Sequence, residues 1–141
     1  MLAVWHAWAI DVSLRAAWER GVVLTGSSAG GMCWFEQGLT DSVAGDLVTM
    51  PCLGFLSGSF CPHYDGEKDR RPLYRRCVAS GRILPGLAAD DAAAVHYRDA
   101  GVHAYLSGRP GARVYRVDRE RDAAVETPLE MRSLLGAPAS E

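Results

Sequence analysis

Residues 22–35 read VVLTGSSAGGMCWF, a short β-branched apolar run that stops on Gly26, passes through six small residues and resumes in bulk at Met32. Strand, glycine-serine turn and helix in immediate succession constrain the backbone severely. Gly26-Ser27-Ser28-Ala29-Gly30 matches G-x-S-x-G, the sequence form of a nucleophile elbow, with Ser28 at its apex. A side chain held on so sharp a turn takes unfavourable φ/ψ, and the residues two places either side of it must clear one another, which calls for glycine. At the start of the following helix, free backbone N–H groups, that of Ala29 among them, point toward the space where an oxyanion would develop. Ser27 is the variable position of the elbow.

A serine hydroxyl attacks only when a base takes its proton, so the same chain must supply an imidazole and a group to orient it. His63 lies in FCPHYDGE, a loop-like context with Pro62 fixing the backbone before it, whereas His96 and His103 fall in alternating β runs and His6 in an amphipathic helix. For the orienting carboxylate, Asp90 and Asp91 in GLAADDAAAV follow an apolar strand and precede alanines that leave room around them. Asp41 and Asp65 are rivals, and a polar hairpin turn is the plainer account of the Asp90-Asp91 pair.

The chain has 141 residues, and 48% apolar with 23% charged side chains suits one ordinary globular domain over residues 1–141. Fifteen basic against seventeen acidic residues offer no general attraction to nucleic acid or an anionic membrane, so a small neutral or locally charged ligand is expected. No apolar run spans a bilayer and no basic stretch precedes the first apolar one, which places the protein in the cytoplasm with its four cysteines reduced. Cys61 and His63 form no recognised ligand set, so no metal is expected. The glycine-serine turn also lacks the lysine of a phosphate loop and the spacing of a dinucleotide fingerprint.

Periodicity predicts a helix over residues 2–20, a buried strand in GVVLTG, a helix of one to three turns closing at Gly38, and short strands over residues 47–60. A helix follows in EKDRRPLYRRCVASG, with Pro72 near its first turn, then several short strands as far as ARVYRVD. Residues 120–141 read as a surface helix or loose tail.

GSSAGG with MCWFEQGLTDS, then GFLSGSFCPHYDGEKDRRPLY, LPGLAADDAAAVHY and SGRPGARVYRV together resemble peptidase family S51, the group of peptidase E (aspartyl dipeptidase) and cyanophycinase. These segments occur in the family's order and cover most of the chain. The resemblance implies a three-layer α/β/α fold with a mostly parallel sheet, like class I glutamine amidotransferases with serine in place of cysteine. It implies Ser28 as nucleophile, His63 as base, Asp91 as the acidic partner with Asp90 beside it and Asp41 in reserve, and Ala29 N–H as an oxyanion donor. Arg70 or Arg71 corresponds to an arginine that receives an acidic group of the substrate, as a planar guanidinium fork can. The implied reaction is hydrolysis of small peptides, dipeptides with an N-terminal acidic residue, through an acyl-enzyme and without cofactor. Family members carry further strands and a Gly-Gly-Gly-Asn-type loop before the helix at residue 2, so the resemblance also implies an N-terminally truncated domain. A chain without that layer would expose a sheet edge and favour homo-oligomers, and the competing reading is a catalytically impaired binding or oligomerisation module.

Overall fold

The computed structural model describes residues 1–43 and 46–135. The first helical stretch is broken in two: α1 (Leu2–Ala7) and α2 (Ile10–Glu19) are separated at Trp8 and Ala9, where Ala9 takes φ 52°. His6 Nδ1 and Asp11 Oδ2 bridge the break at 2.8 Å. Neither helix buries a residue completely. They rest on the body through aromatic rings, with Trp5 6.3 Å from Trp34 and Trp18 stacked 5.7 Å from Phe55. Arg15 adds its guanidinium 4.1 Å above the Phe55 ring.

Residues 22–25, expected as a buried strand, run to the turn without ladder partners, and Val23 is 86% exposed. β-Branched residues favour an extended backbone, but a strand also needs a neighbour, and no described strand lies alongside. After the turn comes a single helical turn, α3 (Ala29–Met32), and the chain already enters β1 (Phe35–Val43) where the helix was expected to continue to Gly38. Then follow β2 (Asp46–Pro51), β3 (Leu56–Cys61), α4 (Arg70–Ala79), β4 (Gly86–Ala89), β5 (Ala93–Arg98), β6 (Gly101–Ser107), β7 (Val114–Glu120), β8 (Ala123–Pro128) and the short β9 (Arg132–Ser133).

Six strands form one sheet in the order β2-β1-β3-β4-β7-β8. Only β1 with β3 and β3 with β4 pair in parallel; β1 with β2, β4 with β7 and β7 with β8 are antiparallel. The expected mostly parallel sheet is therefore a mixed one. Connection length explains the difference: β7 and β8 are joined by Arg121 and Asp122, enough for a hairpin and far too few for a parallel crossover, whereas β3 reaches β4 through α4. The same hairpin corrects the reading of residues 120–141, which run into β8 and β9 rather than a surface helix. Its alanines and charges favour helix locally, but the open edge of β7 supplies a partner for the backbone. Residues 136–141 of the expected tail lie outside the described residues.

Side chains alternate across the sheet with the period of two that strands impose. On one face Leu39, Cys61, Ala88 and Val117 pack with Tyr74, Cys77 and Val78 of α4. On the other, Leu87, Ala89 and Val114 meet Val95, Tyr97 and Tyr105 of a second, three-stranded sheet ordered β5-β6-β9. One flanking layer is therefore a helix and the other a small sheet, where helices on both faces were expected. All four cysteines are free thiols, and burial pushes Cys33 and Cys52 up to about 11, so they stay protonated. No helix among the described residues is long and apolar enough to cross a membrane.

Candidate active site

Three loops bring the site together. Ser28 stands between residues 22–27 and α3 with φ 52° and ψ −123°, a region that L-residues adopt only under constraint. The constraint is visible around it: Gly31 N–H and Met32 N–H both donate to the Ser28 carbonyl, at 3.0 and 2.9 Å. A Cβ on Gly26 would overlap the Gly30 carbonyl, so the turn closes only with glycine at 26. Ala29 is the first residue of α3, and its N–H has no acceptor within that helix.

His63 follows β3 and Pro62, and it too has positive φ, 55°. Its Nε2 lies 2.8 Å from Ser28 Oγ and its Nδ1 2.6 Å from Asp91 Oδ1. Asp91 occupies the tight turn between β4 and β5, closed by Ala93 N–H donating to Asp90 O at 3.0 Å. Hydroxyl, imidazole and carboxylate are thus in one line, the order in which a proton leaves a nucleophile and the resulting imidazolium is stabilised. With Nδ1–H donated to Asp91, Nε2 is left as the acceptor for the serine proton. The line is open to solvent: the side chains of His63 and Asp91 are 35% and 50% exposed. It lies in a groove of ≈ 860 Å³ whose walls include Val22, Val23, Phe35, Phe60 and Val95.

Asp90, next in sequence, also lines the groove but is bonded to the backbone of Arg113. Its Oδ2 accepts from Arg113 N–H at 3.0 Å, while Oδ1 is buried with no hydrogen-bond partner among the described residues. Burial raises the Asp90 carboxyl above the usual carboxylate range, against the pull of the Arg113 N–H. Asp90 does not reach His63. Nor does Asp41, whose carboxylate lies 3.9 Å from the Arg70 guanidinium.

The two arginines expected at the substrate are both engaged elsewhere. Arg70 is 3% exposed; its Nε donates to Glu67 at 2.8 Å and its Nη1 to the Leu39 carbonyl at 3.0 Å, tying α4 to β1. Arg71 pairs with Glu126 of β8 and stacks on Tyr64 and Tyr115 at 5.0 and 4.8 Å. Neither lines the groove. Arg98 does, but it sits at the far end of β5, seven residues from Asp91 and about 20 Å along an extended strand.

Two residues outside the line are bound to it. Asp65 accepts the Asp91 N–H at 2.8 Å, and Arg109 pairs with the Asp65 carboxylate. Burial alone would raise Asp65, but the Asp91 N–H and Arg109 outweigh it and hold the carboxyl below its ordinary range. Asp65 entered the sequence reading as a rival for the orienting role, and Arg109 did not enter it. An arginine in S-G-R-P-G carries no local mark of where its guanidinium goes. Among the described residues no group of three His, Cys, Asp or Glu side chains converges on a metal position.

A serine with positive φ between an extended run and a short helix is aligned with a histidine and an aspartate on an α/β scaffold, the geometry of a Ser–His–Asp line. The chain belongs to peptidase family S51, whose sequence profile matches residues 1–105. It is similar to an uncharacterized peptidase of Bacillus subtilis (strain 168), YgaJ, with 48% identity over 134 residues, covering 95% of this chain and 58% of that protein. The chain thus spans 58% of the length of this curated relative. No solved structure matches it.

Proposed function

We propose that this protein is a serine-type peptidase in which Ser28 attacks the amide carbonyl of a small peptide and His63 takes its proton. Asp91 holds the imidazole in the required tautomer, and Ala29 N–H donates to the tetrahedral oxyanion. Collapse of that intermediate releases the amine, which leaves with the proton from His63. Water activated by the same imidazole then hydrolyses the acyl-enzyme. This chemistry needs no metal or organic group. The observation that carries the reading is the unbroken line from Ser28 Oγ through His63 to Asp91, at 2.8 and 2.6 Å. Membership of family S51 and a relative named as a peptidase support it.

For substrate, the resemblance to peptidase E favours dipeptides with an N-terminal acidic residue, cleaved in the cytoplasm. Arg70 and Arg71, bonded to the Leu39 carbonyl and to Glu126, do not line the groove. Hydrolysis of Asp-X and Ala-X dipeptide amides by the intact chain tests both parts. Loss of at least about 1000-fold in kcat for Ser28→Ala is expected, and turnover unchanged in that variant overturns the assignment. Equal kcat/KM for Asp-X and Ala-X overturns the specificity alone.

A second reading, a binding or oligomerisation module that keeps the elbow as a turn, is favoured by one observation. Apolar side chains stand exposed, Val23 in the groove wall at 86% and Trp8 at the end of α1 at 78%. A folded chain without activity that self-associates in light scattering supports that reading instead.

A further inference from the structure

The Asp91–His63 contact is open to solvent, and packing does not hold the Asp91 side chain in place. What does hold it is its backbone. Asp91 N–H donates to Asp65 Oδ1 at 2.8 Å, and the Asp91 carbonyl accepts from Arg109 Nε at 3.0 Å. Arg109 Nη2 closes the ring on the other oxygen of Asp65. The hydrogen-bonding groups on both sides of the Asp91 Cα are therefore fixed by one ion pair. Each partner comes from a different loop: Asp65 is two residues beyond His63, and Arg109 follows β6. Gly108 N–H donates to the Ala92 carbonyl at 2.8 Å, fastening the β6 end to the same turn. Ala92, immediately after Asp91, has φ 63°, a conformation the turn must maintain against its own preference.

We propose that Asp65 and Arg109 are positioning residues, a two-residue clamp that sets the distance between the His63 loop and Asp91 without touching substrate. The inference rests on the reading of Ser28, His63 and Asp91 as a catalytic line. Asp65 serves both ends. Its carboxylate fixes the Asp91 peptide, and its own backbone lies in the His63 loop, so movement of one group carries the other with it. Arg109 suits the task because its planar fork spans two acceptors at once, a carboxylate oxygen and a carbonyl, which a lysine cannot do.

The test reads the rate at which a fluorophosphonate labels Ser28 against pH, on the full chain and without any assumption about peptide specificity. In that reaction Ser28 Oγ bonds to phosphorus, fluoride leaves and His63 takes the hydroxyl proton. The acidic limb of the rate, where the imidazole becomes protonated, lies at higher pH the more closely Asp91 holds the imidazolium. The charged groups of this cluster are Asp91, Asp65, Asp90 and Arg109. Removing the positive charge of Arg109 acts on the imidazolium through space and by itself moves the limb to higher pH. Loosening Asp91 moves it to lower pH, so the two effects have opposite signs.

For Arg109→Gln the expected result is a labelling rate about 10- to 100-fold lower and an acidic limb about half a unit or more lower in pH. Arg109→Lys keeps the charge and loses the fork, so its limb also moves down, and it serves alone if the glutamine variant does not fold. Asp65→Asn keeps an acceptor for Asp91 N–H but loses the ion pair, and falls between these variants and the wild type in rate. An unmoved or raised limb in both Arg109 variants overturns the clamp, even where the rate has dropped, because that pattern is a field effect or a loss of folded protein. Ser28→Ala separates the two levels. Labelling that survives in it, or a wild-type chain that takes no label, removes the underlying reading and the clamp with it. Label confined to Ser28 with wild-type kinetics in both Arg109 variants removes the clamp alone.

Discussion

Ser28, His63 and Asp91 were legible because each stands in a local context that restricts the backbone: glycines around the serine, a proline before the histidine, a two-carboxylate turn before alanines. Two of the three loops have positive φ at the critical residue, Ser28 and His63. Gly66 belongs with them, since a Cβ there would overlap the Asp91 carboxylate. Gly66→Ala should displace Asp91 from His63 and lower kcat about 10- to 100-fold with KM little changed; a wild-type kcat contradicts that placement. Asp90 differs from its neighbour by burial, and the consequence is a pH dependence of the opposite sense to that of a paired carboxylate. Its folded-state carboxyl is raised, so the stability it contributes is fully present below the unfolded value of about 3.9 and is lost as pH rises through the folded one. Asp90→Asn should remove that decline, seen as a flatter denaturation midpoint between acid and neutral pH, and a decline of wild-type slope contradicts the assignment. Asp65 has the reverse sign: its carboxyl is lowered, and its contribution is lost only as pH falls through that depressed value. Arg70 and Arg71 came from the resemblance, which does not decide the direction of a helical side chain; α4 turns one into the core and the other toward β8.

At the level of elements, strands with strict alternation, such as β5, were readable from apolar period alone, and so was α4 behind its acidic loop. Residues 22–25 and β8 were not, because pairing depends on what lies beside a segment rather than within it. A run of valines found no described neighbour, whereas a charged, alanine-containing run found the open edge of β7. Besides the packing of Leu39, a polar side chain ties α4 to β1, that of Arg70. Arg70→Ala would leave the Leu39 carbonyl without its donor and Glu67 without its partner, a loss of about 2–4 kcal/mol. The expected reading is a lower urea midpoint with unchanged slope. An unchanged midpoint means that the guanidinium contributes nothing net to the fold.

Across the whole molecule, burial is concentrated where the mixed sheet meets α4 and the small sheet, while α1 and α2 bury no residue completely and touch the body through a few rings. Amide hydrogen exchange should therefore be faster through α1 and α2 than through α4 and β4 by orders of magnitude. Equal protection would show that another surface covers these helices, as self-association through Trp8 and Val23 would. The intact chain is also where the central claim meets its most direct test: treatment with a fluorophosphonate, followed by whole-chain mass and peptide mapping. The account predicts one adduct, on Ser28, abolished by Ser28→Ala and slowed by at least about 1000-fold in His63→Gln. An adduct elsewhere, or labelling of Ser28 at the same rate without His63, would contradict it.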